Sequence, residues 1–376
     1  MSNAATGAFT SSVKRSQDFL ARAFPTPKFL APEALGVDIS DASIKWIAFS
    51  RGSHMPRTVE TWGQISIAEG IVVSGVVKDV ARLAEALAEV RKRVPGIRAA
   101  HAALPEEAAF VFDLSVPARS SRQQILHVIE FELENRVPIP PSAAVYDFDI
   151  IPGNSSAQQE VGVVVFPKDI VESYFAAFEK AGFTLLSLEL EASSIARAVS
   201  PRFHGEPVAL LVDFGLKRTG FAVLKAGVPI FTSTVEVGGE ILSRTLVDKL
   251  GLSMEEVEVW KNEEGLLPRD GPKSSGLEAV SGAASALGSE VLRHYRYWDT
   301  RRDEHGERMS PVSKVYLVGG SANLKGLGDY IAGRVQAEVI RPNVWQNIIS
   351  FDDYIPPIER HVSLQYATAI GLALRN

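Results

Sequence analysis

Two short stretches hold most of the residues able to do chemistry. Leu210 to Val212 is apolar, Asp213 to Gly220 is polar and glycine-punctuated, and Phe221 to Leu224 is apolar again. That order predicts a β-hairpin whose tight turn begins with a carboxylate at the mouth of its first strand. Gly215 and Gly220 let backbone N–H groups approach a ligand, and Lys217 and Thr219 add a charge and a hydroxyl, a set suited to phosphate. Displacing the chain by the interval from Asp38 to Asp213 lays Gly36-Val-Asp-Ile-Ser-Asp-Ala-Ser-Ile-Lys-Trp-Ile-Ala-Phe49 on Leu211 to Leu224 without a gap. Ser40 then falls on Gly215 and Trp46 on Phe221. Two matching hairpins half a chain apart imply two lobes of similar fold, each offering a turn to one cleft. A phosphate chain between the turns, with Asp38 and Asp213 touching Mg²⁺ through water, suits an ion that takes few carboxylates and retains waters. Either hairpin alone would equally be closed by Asp and Ser side-chain turns. The gapless repeat is what argues for a shared cleft.

The elements around these turns follow from periodicity. Phe9 to Phe24 is a short basic amphipathic pattern stopped by Pro25-Thr-Pro27, read as an arm docking on its own domain or a surface helix. Val80 to Val94 places Leu83, Leu87 and Val90 on one helical face and ends at Pro95-Gly96. From Phe110 to Leu190 the order is strand, helix, strand, strand, helix, strand, which is locally ferredoxin-like. In the second half Gly238-Gly239 leads into a helix, Ser253 caps another, and a long helix runs from Leu277 to about Trp298. Val315 to Val318 is a buried strand running into Gly319-Gly320-Ser321, with a helix expected from about Leu324 to Val335. A strand, paired glycines and a helix N-terminus would suit an anion, or be a turn that needs glycine for sterics. Ser363 to Leu374 is a last helix rich in small residues.

Composition narrows the function. A chain of 376 residues with 46% apolar residues can bury a large core in two or more domains. Its net charge of −6 argues against a generic nucleic-acid surface. With no cysteine, thiolate catalysis, disulfides and Cys-zinc sites are excluded. No apolar run approaches the ~18 residues of a membrane span and no signal-peptide pattern opens the chain, so a cytoplasmic protein is expected. The seven histidines are scattered, and Walker, Gly-x-Gly-x-x-Gly and Gly-x-Ser-x-Gly motifs are missing.

Taken in order, Gly36-Val-Asp-Ile-Ser-Asp-Ala-Ser-Ile-Lys45, Val212-Asp-Phe-Gly-Leu-Lys-Arg-Thr219 and Val318-Gly-Gly-Ser-Ala-Asn-Leu-Lys-Gly326 resemble the two phosphate loops and the adenosine loop of the actin-like ATPase superfamily. Within it the chain looks most like the PilM family of type IV pilus assembly. Ser121 to Pro138, Glu236-Val-Gly-Gly-Glu240 and Val257-Glu-Val-Trp-Lys261 match further family segments, the last a helix beside the nucleotide base. The resemblance covers roughly Leu35 to the C-terminus.

It implies an α/β, two-lobed actin-like (ribonuclease H-like) fold with a small ferredoxin-like α+β subdomain inserted in the first lobe. The expected divisions are an arm over 1–34, a first lobe over 35–206 with its insert at about 106–164, and a second lobe over 207–376. The second lobe would hold a helical subdomain at about 240–314 and a C-terminal helix at 362–375. On this view the Lys168–Leu190 helix and strand belong to the first lobe's core, not to the insert. ATP phosphates would meet Ser40, Asp41, Ala42, Ser43 and Lys45, and Gly215, Leu216, Lys217, Arg218 and Thr219. Adenosine would meet Gly238, Gly239, Glu258, Lys261, Gly319, Gly320, Ser321 and Leu324. Mg²⁺ would be held through water by Asp38 and Asp213. The implied partner is the cytoplasmic N-terminal tail of a PilN-like bitopic inner-membrane protein, in a groove beside the insert, and through it other pilus alignment and motor components.

One departure bears on chemistry. The family's Asp-Ile-Gly-Ser is Asp38-Ile39-Ser40-Asp41 here, which loses a glycine and adds a carboxylate near the phosphates. Nucleotide binding is still expected, rapid hydrolysis is not, and no residue is legible as a general base. A small-molecule kinase, a divisome-type filament protein and an interaction protein with a relic cleft remain as alternatives.

Overall fold

A computed structural model of the chain describes residues 33–50, 58–153, 157–201, 208–267, 274–302, 306 and 308–375. The amphipathic Phe9–Phe24 pattern lies outside them. The first lobe opens with β1 (Ala34–Ile39), β2 (Ser43–Phe49) and β3 (Val59–Ser66), followed by the small hairpin β4 (Val72–Val73) and β5 (Val76–Val77). Helix α1 (Val80–Arg93) follows. The Asp79 side chain caps it by accepting from Arg82 N, and it buries Leu83, Leu87 and Val90 as its spacing predicts. β6 (Ala99–Leu104) then enters the same sheet beside β1.

The strand–helix–strand–strand–helix–strand run divides between two bodies. β7 (Phe110–Pro117), α2 (Arg122–Arg136), β8 (Ala144–Ile151) and β9 (Gln158–Pro167) form a separate antiparallel sheet, ordered β7-β9-β8, with α2 on one face. Ser121 and Gln124 start α2 with a capping box, and Ile125, Ile129 and Leu133 fill this small core. α3 (Lys168–Ala181) packs on α1, and β10 (Thr184–Leu190) pairs parallel with β6. Those last two elements therefore complete the first lobe's own sheet, ordered β10-β6-β1-β2-β3.

α4 (Glu191–Val199) leads to the second lobe, where β11 (Val208–Phe214), β12 (Thr219–Lys225) and β13 (Val228–Val235) form the second hairpin and its neighbour. Helices α5 (Gly239–Leu250), α6 (Met254–Glu263) and α7 (Ser274–Asp299) intervene before β14 (Lys314–Val318), α8 (Leu327–Ala332) and β15 (Glu338–Ile340). The second sheet is ordered β13-β12-β11-β14-β15, the same arrangement as the first. Three antiparallel strands lead and two parallel ones follow in each. The sequence repeat is also a register repeat: Asp38 faces Lys45 and Val37 faces Trp46, while Asp213 faces Gly220 and Val212 faces Phe221.

Two elements differ from the periodicity reading. Gly319 and Gly320 lead into a 3-10 turn over Gly320–Asn323, and Gly326, at φ +81°, breaks the path before the six-residue α8. No long helix starts at the paired glycines, so an anion there would meet no helix dipole. The last helix is likewise segmented into α9 (Arg360–Ser363), a 3-10 turn (Leu364–Tyr366) and α10 (Ala367–Ala373). Its small residues serve close packing: a Cβ on Gly371 would sit 1.7 Å from Ser194 O, and one on Gly36 2.0 Å from Ala369 O. α4 and α10 thereby bring both sheets into one continuous core, which contains Leu35, Ile195, Leu211, Tyr316 and Ile370. The cleft lies above this floor, at the carboxyl ends of β1, β6, β10, β11 and β14.

Candidate functional site: an acidic cleft between two hairpin turns

The two hairpin turns face each other across a cavity of about 530 Å³. Asp38, Ser40, Asp41, Ala42, Ser43 and Lys45 line it from the first lobe, and Asp213, Gly215, Leu216, Lys217 and Arg218 from the second. Gly319, Gly320 and Ser321 line it beside the second turn, where Ser321 Oγ donates to Gly215 O at 3.1 Å, and Glu258 and Lys261 line it too. Thr219, Gly238, Gly239 and Leu324 are not on this wall. Thr219 is fully buried and donates to Val237 O. Leu324 is a core residue. Gly238 and Gly239 lie behind the second turn, where Gly239 N donates to Gly215 O at 3.0 Å and a Cβ on Gly238 would meet Leu216 O at 2.3 Å. Their small size shapes the turn.

The first turn is closed by side chains. Ser40 Oγ accepts from Ser43 N at 3.2 Å and donates to Ser43 O at 3.1 Å. Ser40 is not among the described residues with positive φ, so this turn needs no glycine. In the second turn Gly215 N donates to Arg218 O at 2.9 Å, and a Cβ on Gly215 would stand 2.9 Å from that oxygen. The added carboxylate, Asp41, is not a free charge facing the cleft. Ser74 N and Gly75 N donate to its two oxygens at 3.1 Å each, and Arg218 Nη2 donates at 2.9 Å. Its repulsion of phosphate is therefore offset inside the protein, contrary to the simple like-charge expectation.

Three further acids enter the cleft. Glu106 and Glu107 follow the end of β6, and Glu191 follows the end of β10. The insert's entry thus contributes to the cleft. Glu106 and Glu191 hydrogen-bond to each other, so the pair holds a proton; burial, foremost, raises both above the ordinary carboxylate range. Asp213 is pushed up to about 7 by burial, then by Glu106 and Asp38, with Lys45 opposing. Lys45 Nζ stands 3.5 Å from Asp38 Oδ2. Motif reading missed these glutamates because they belong to no phosphate loop. Their placement was nevertheless inferable, since ligands of open α/β sheets gather outside the carboxyl ends of parallel strands.

Lys261, also on the cavity wall, is buried, its Nζ 3.3 Å from Ser243 Oγ and 2.5 Å from Glu258 Oε1. Glu258 and Lys261 thus share a helix face, as their spacing requires.

Among the described residues no three His, Asp or Glu side chains converge as a direct metal cage. Asp38 and Asp213 alone suit Mg²⁺ with most of its water retained, and a divalent cation would relieve the repulsion that raises Asp213. Arg218 Nη1 is buried without a partner, an unspent donor at the same end. The donor set fits a magnesium-bound polyphosphate.

Residues 36–376 match the sequence pattern of the family described as type IV pilus assembly protein PilM. The chain belongs to that family. Among solved structures it is similar to a PilM-PilN type IV pilus biogenesis complex, with a TM-score of 0.73 and 21% identity over 91% of this chain and 98% of that one. The ethanolamine utilization protein EutJ from Carboxydothermus hydrogenoformans matches with a TM-score of 0.51 and 18% identity over 94% of this chain and 92% of that one. An MreB protein of Spiroplasma citri bound to ADP matches with a TM-score of 0.52 and 11% identity over 92% and 96%. At these identities the likenesses speak for the fold alone: a two-lobed, actin-like α/β fold. No helix among the described residues is long and apolar enough to cross a membrane.

Proposed function

We propose that this PilM-family protein binds ATP with Mg²⁺ in its interlobe cleft and acts as a nucleotide-responsive scaffold of type IV pilus assembly on the cytoplasmic side of the inner membrane. The observation that carries the reading is the pair of register-matched turns facing one cavity, each beginning with a buried or half-buried aspartate. Backbone N–H groups of both turns, Lys45, Lys217 and Arg218 would hold the phosphates; Asp38 and Asp213 would hold the hydrated ion. Glu258 and Lys261, with Ser321 and Gly320, would flank the nucleoside. When bound, the ion supplies charge neutralisation for the phosphates. Turnover is slow on this account, because no residue is assigned as a positioned general base.

The partner in this proposal is a short apolar peptide, the cytoplasmic N-terminal tail of a PilN-like bitopic membrane protein, docking between the insert and the first lobe. β8 is an edge of the insert sheet and leaves Val145 and Ile150 exposed, so this edge is open to strand addition by an extended peptide. Calorimetric titration of such a peptide into the full chain and into a variant lacking 110–166 tests this. The peptide should bind only the full chain, while thermal stabilisation by ATP and Mg²⁺ persists in both. Equal peptide binding by a folded truncated chain would place the groove elsewhere.

A further inference from the structure

The two hairpin turns are tied to each other across the mouth of the cleft. Arg218, from the second-lobe turn, donates from Nη2 to Asp41 Oδ1 at 2.9 Å and from Nε to Glu107 Oε1 at 2.7 Å. Both acceptors belong to the first lobe, one in the β1–β2 turn and the other in the 3-10 turn over Glu106–Ala108 that follows β6. Asp41 is itself anchored by the two backbone amides at the tip of the β4–β5 hairpin. That tip is a tight turn with Ser74 at φ +49° and Gly75 at φ +70°, a conformation that aims successive N–H groups at one oxyanion. The guanidinium therefore enters a receptor assembled by three segments of the opposite lobe.

Three features make this a mechanical element. The three side chains are only 12–20% exposed, so water and salt screen the pairing weakly. The neighbouring Lys217–Glu69 pair cannot substitute for it, being 3.9 Å apart with Glu69 almost wholly exposed. Asp41, Lys217 and Arg218 also line a second cavity of about 440 Å³, so the bridge is a partition with open space on both sides. The bridge is not the lobes' only contact, since β7, β9 and the 3-10 turn over Glu106–Ala108 also pack on β13 and Lys225 pairs with Glu160, so breaking it would loosen the cleft about that seam. Arg218 Nη1, buried and unpaired, is a donor still available to an arriving oxygen.

We infer that Asp41, Arg218 and Glu107 form a latch that holds the two lobes closed and sets how long a phosphate-bearing ligand stays in the cleft. The closure half stands on the ligand-free geometry; the residence half rests on the nucleotide reading above.

The absence of cysteine makes a distance measurement clean. Glu85→Cys on α1 and Asp248→Cys on α5, both at exposed positions, would carry spin labels in the full, ligand-free chain. Double electron–electron resonance should give a single closed distance. Glu107→Gln should add a longer component, and Glu107→Gln with Asp41→Asn should make it dominant, with circular dichroism unchanged. Identical distance distributions in all three would overturn the latch. In stopped flow, a fluorescent ATP analogue with Mg²⁺ should leave Glu107→Gln about tenfold faster than the parent, the scale of one charge-assisted hydrogen bond. Equal release rates would overturn the residence half. A parent protein that binds no analogue would sink that half together with the nucleotide reading, and the ligand-free distances would still decide the latch.

Discussion

Replacing Asp213 by Asn separates the two roles its carboxyl plays. In the ligand-free protein Asp213 is pushed up to about 7 from an ordinary value of 3.8, chiefly by burial and then by Glu106 and Asp38. The native state therefore holds a proton that the unfolded chain releases, and stability falls as pH rises from about 4 through about 7. The shift corresponds to ~4 kcal/mol at most, a ceiling because the neighbouring acids titrate with it. Asp213→Asn keeps the shape of the protonated side chain and removes the ionisation. With chelator and no nucleotide, the two proteins should unfold in urea at the same midpoint only below about pH 4, and the variant should be more stable at about pH 9 by up to ~4 kcal/mol. Saturating ATP with Mg²⁺ should reverse the order: the wild type gains stability, and the variant gains little. A difference that stays constant with pH, or a variant less stable than wild type at the high end, would refute the electrostatic reasoning.

Other perturbations probe other parts of the fold. Lys261→Ala should cost ATP affinity more than apo stability, by ~1.5–3 kcal/mol for a lost charged donor; titration calorimetry beside urea unfolding gives the comparison, and the reverse ranking would make the Glu258–Lys261 pair structural. Gly371→Ala places a methyl 1.7 Å from Ser194 O and should destabilise by ~1–3 kcal/mol or more; an unchanged urea midpoint would contradict the close packing of α10 on α4. His294 stacks on Phe221 with ring centroids 4.0 Å apart, and burial holds it below the usual histidine range. The native state favours its neutral form, so this contribution is lost as pH falls below about 6.5, and His294→Gln should flatten the stability profile there.

The lobes, their repeat and both cleft-facing turns were legible because hairpin register is set by alternation and turn length. An offset that keeps Asp38 on Asp213 also keeps Lys45 on Gly220. The division of 110–190 between insert and lobe core was not legible from element order, since β10 reads as a fourth insert strand until its parallel pairing with β6 is known. The resemblance implied that division, which periodicity did not. The acids Glu106, Glu107 and Glu191 were hidden because their significance lies in which strand ends converge, a tertiary property. Gly238 and Gly239 illustrate the opposite error: glycine beside a turn suggests ligand approach, yet here their missing side chains admit Leu216 O and Ser321 Oγ. Asp41 looked repulsive in sequence because its three donors come from residues 74, 75 and 218.

The most direct measurement is crystallographic electron density from the full chain grown with Mg²⁺ and a non-hydrolysable ATP analogue. The account predicts a triphosphate between the Ser40–Ser43 and Gly215–Arg218 turns, a hydrated ion beside Asp38 and Asp213, and the base near Glu258 and Lys261. Density for the analogue elsewhere, or a cleft holding only solvent at saturating ligand, would contradict it.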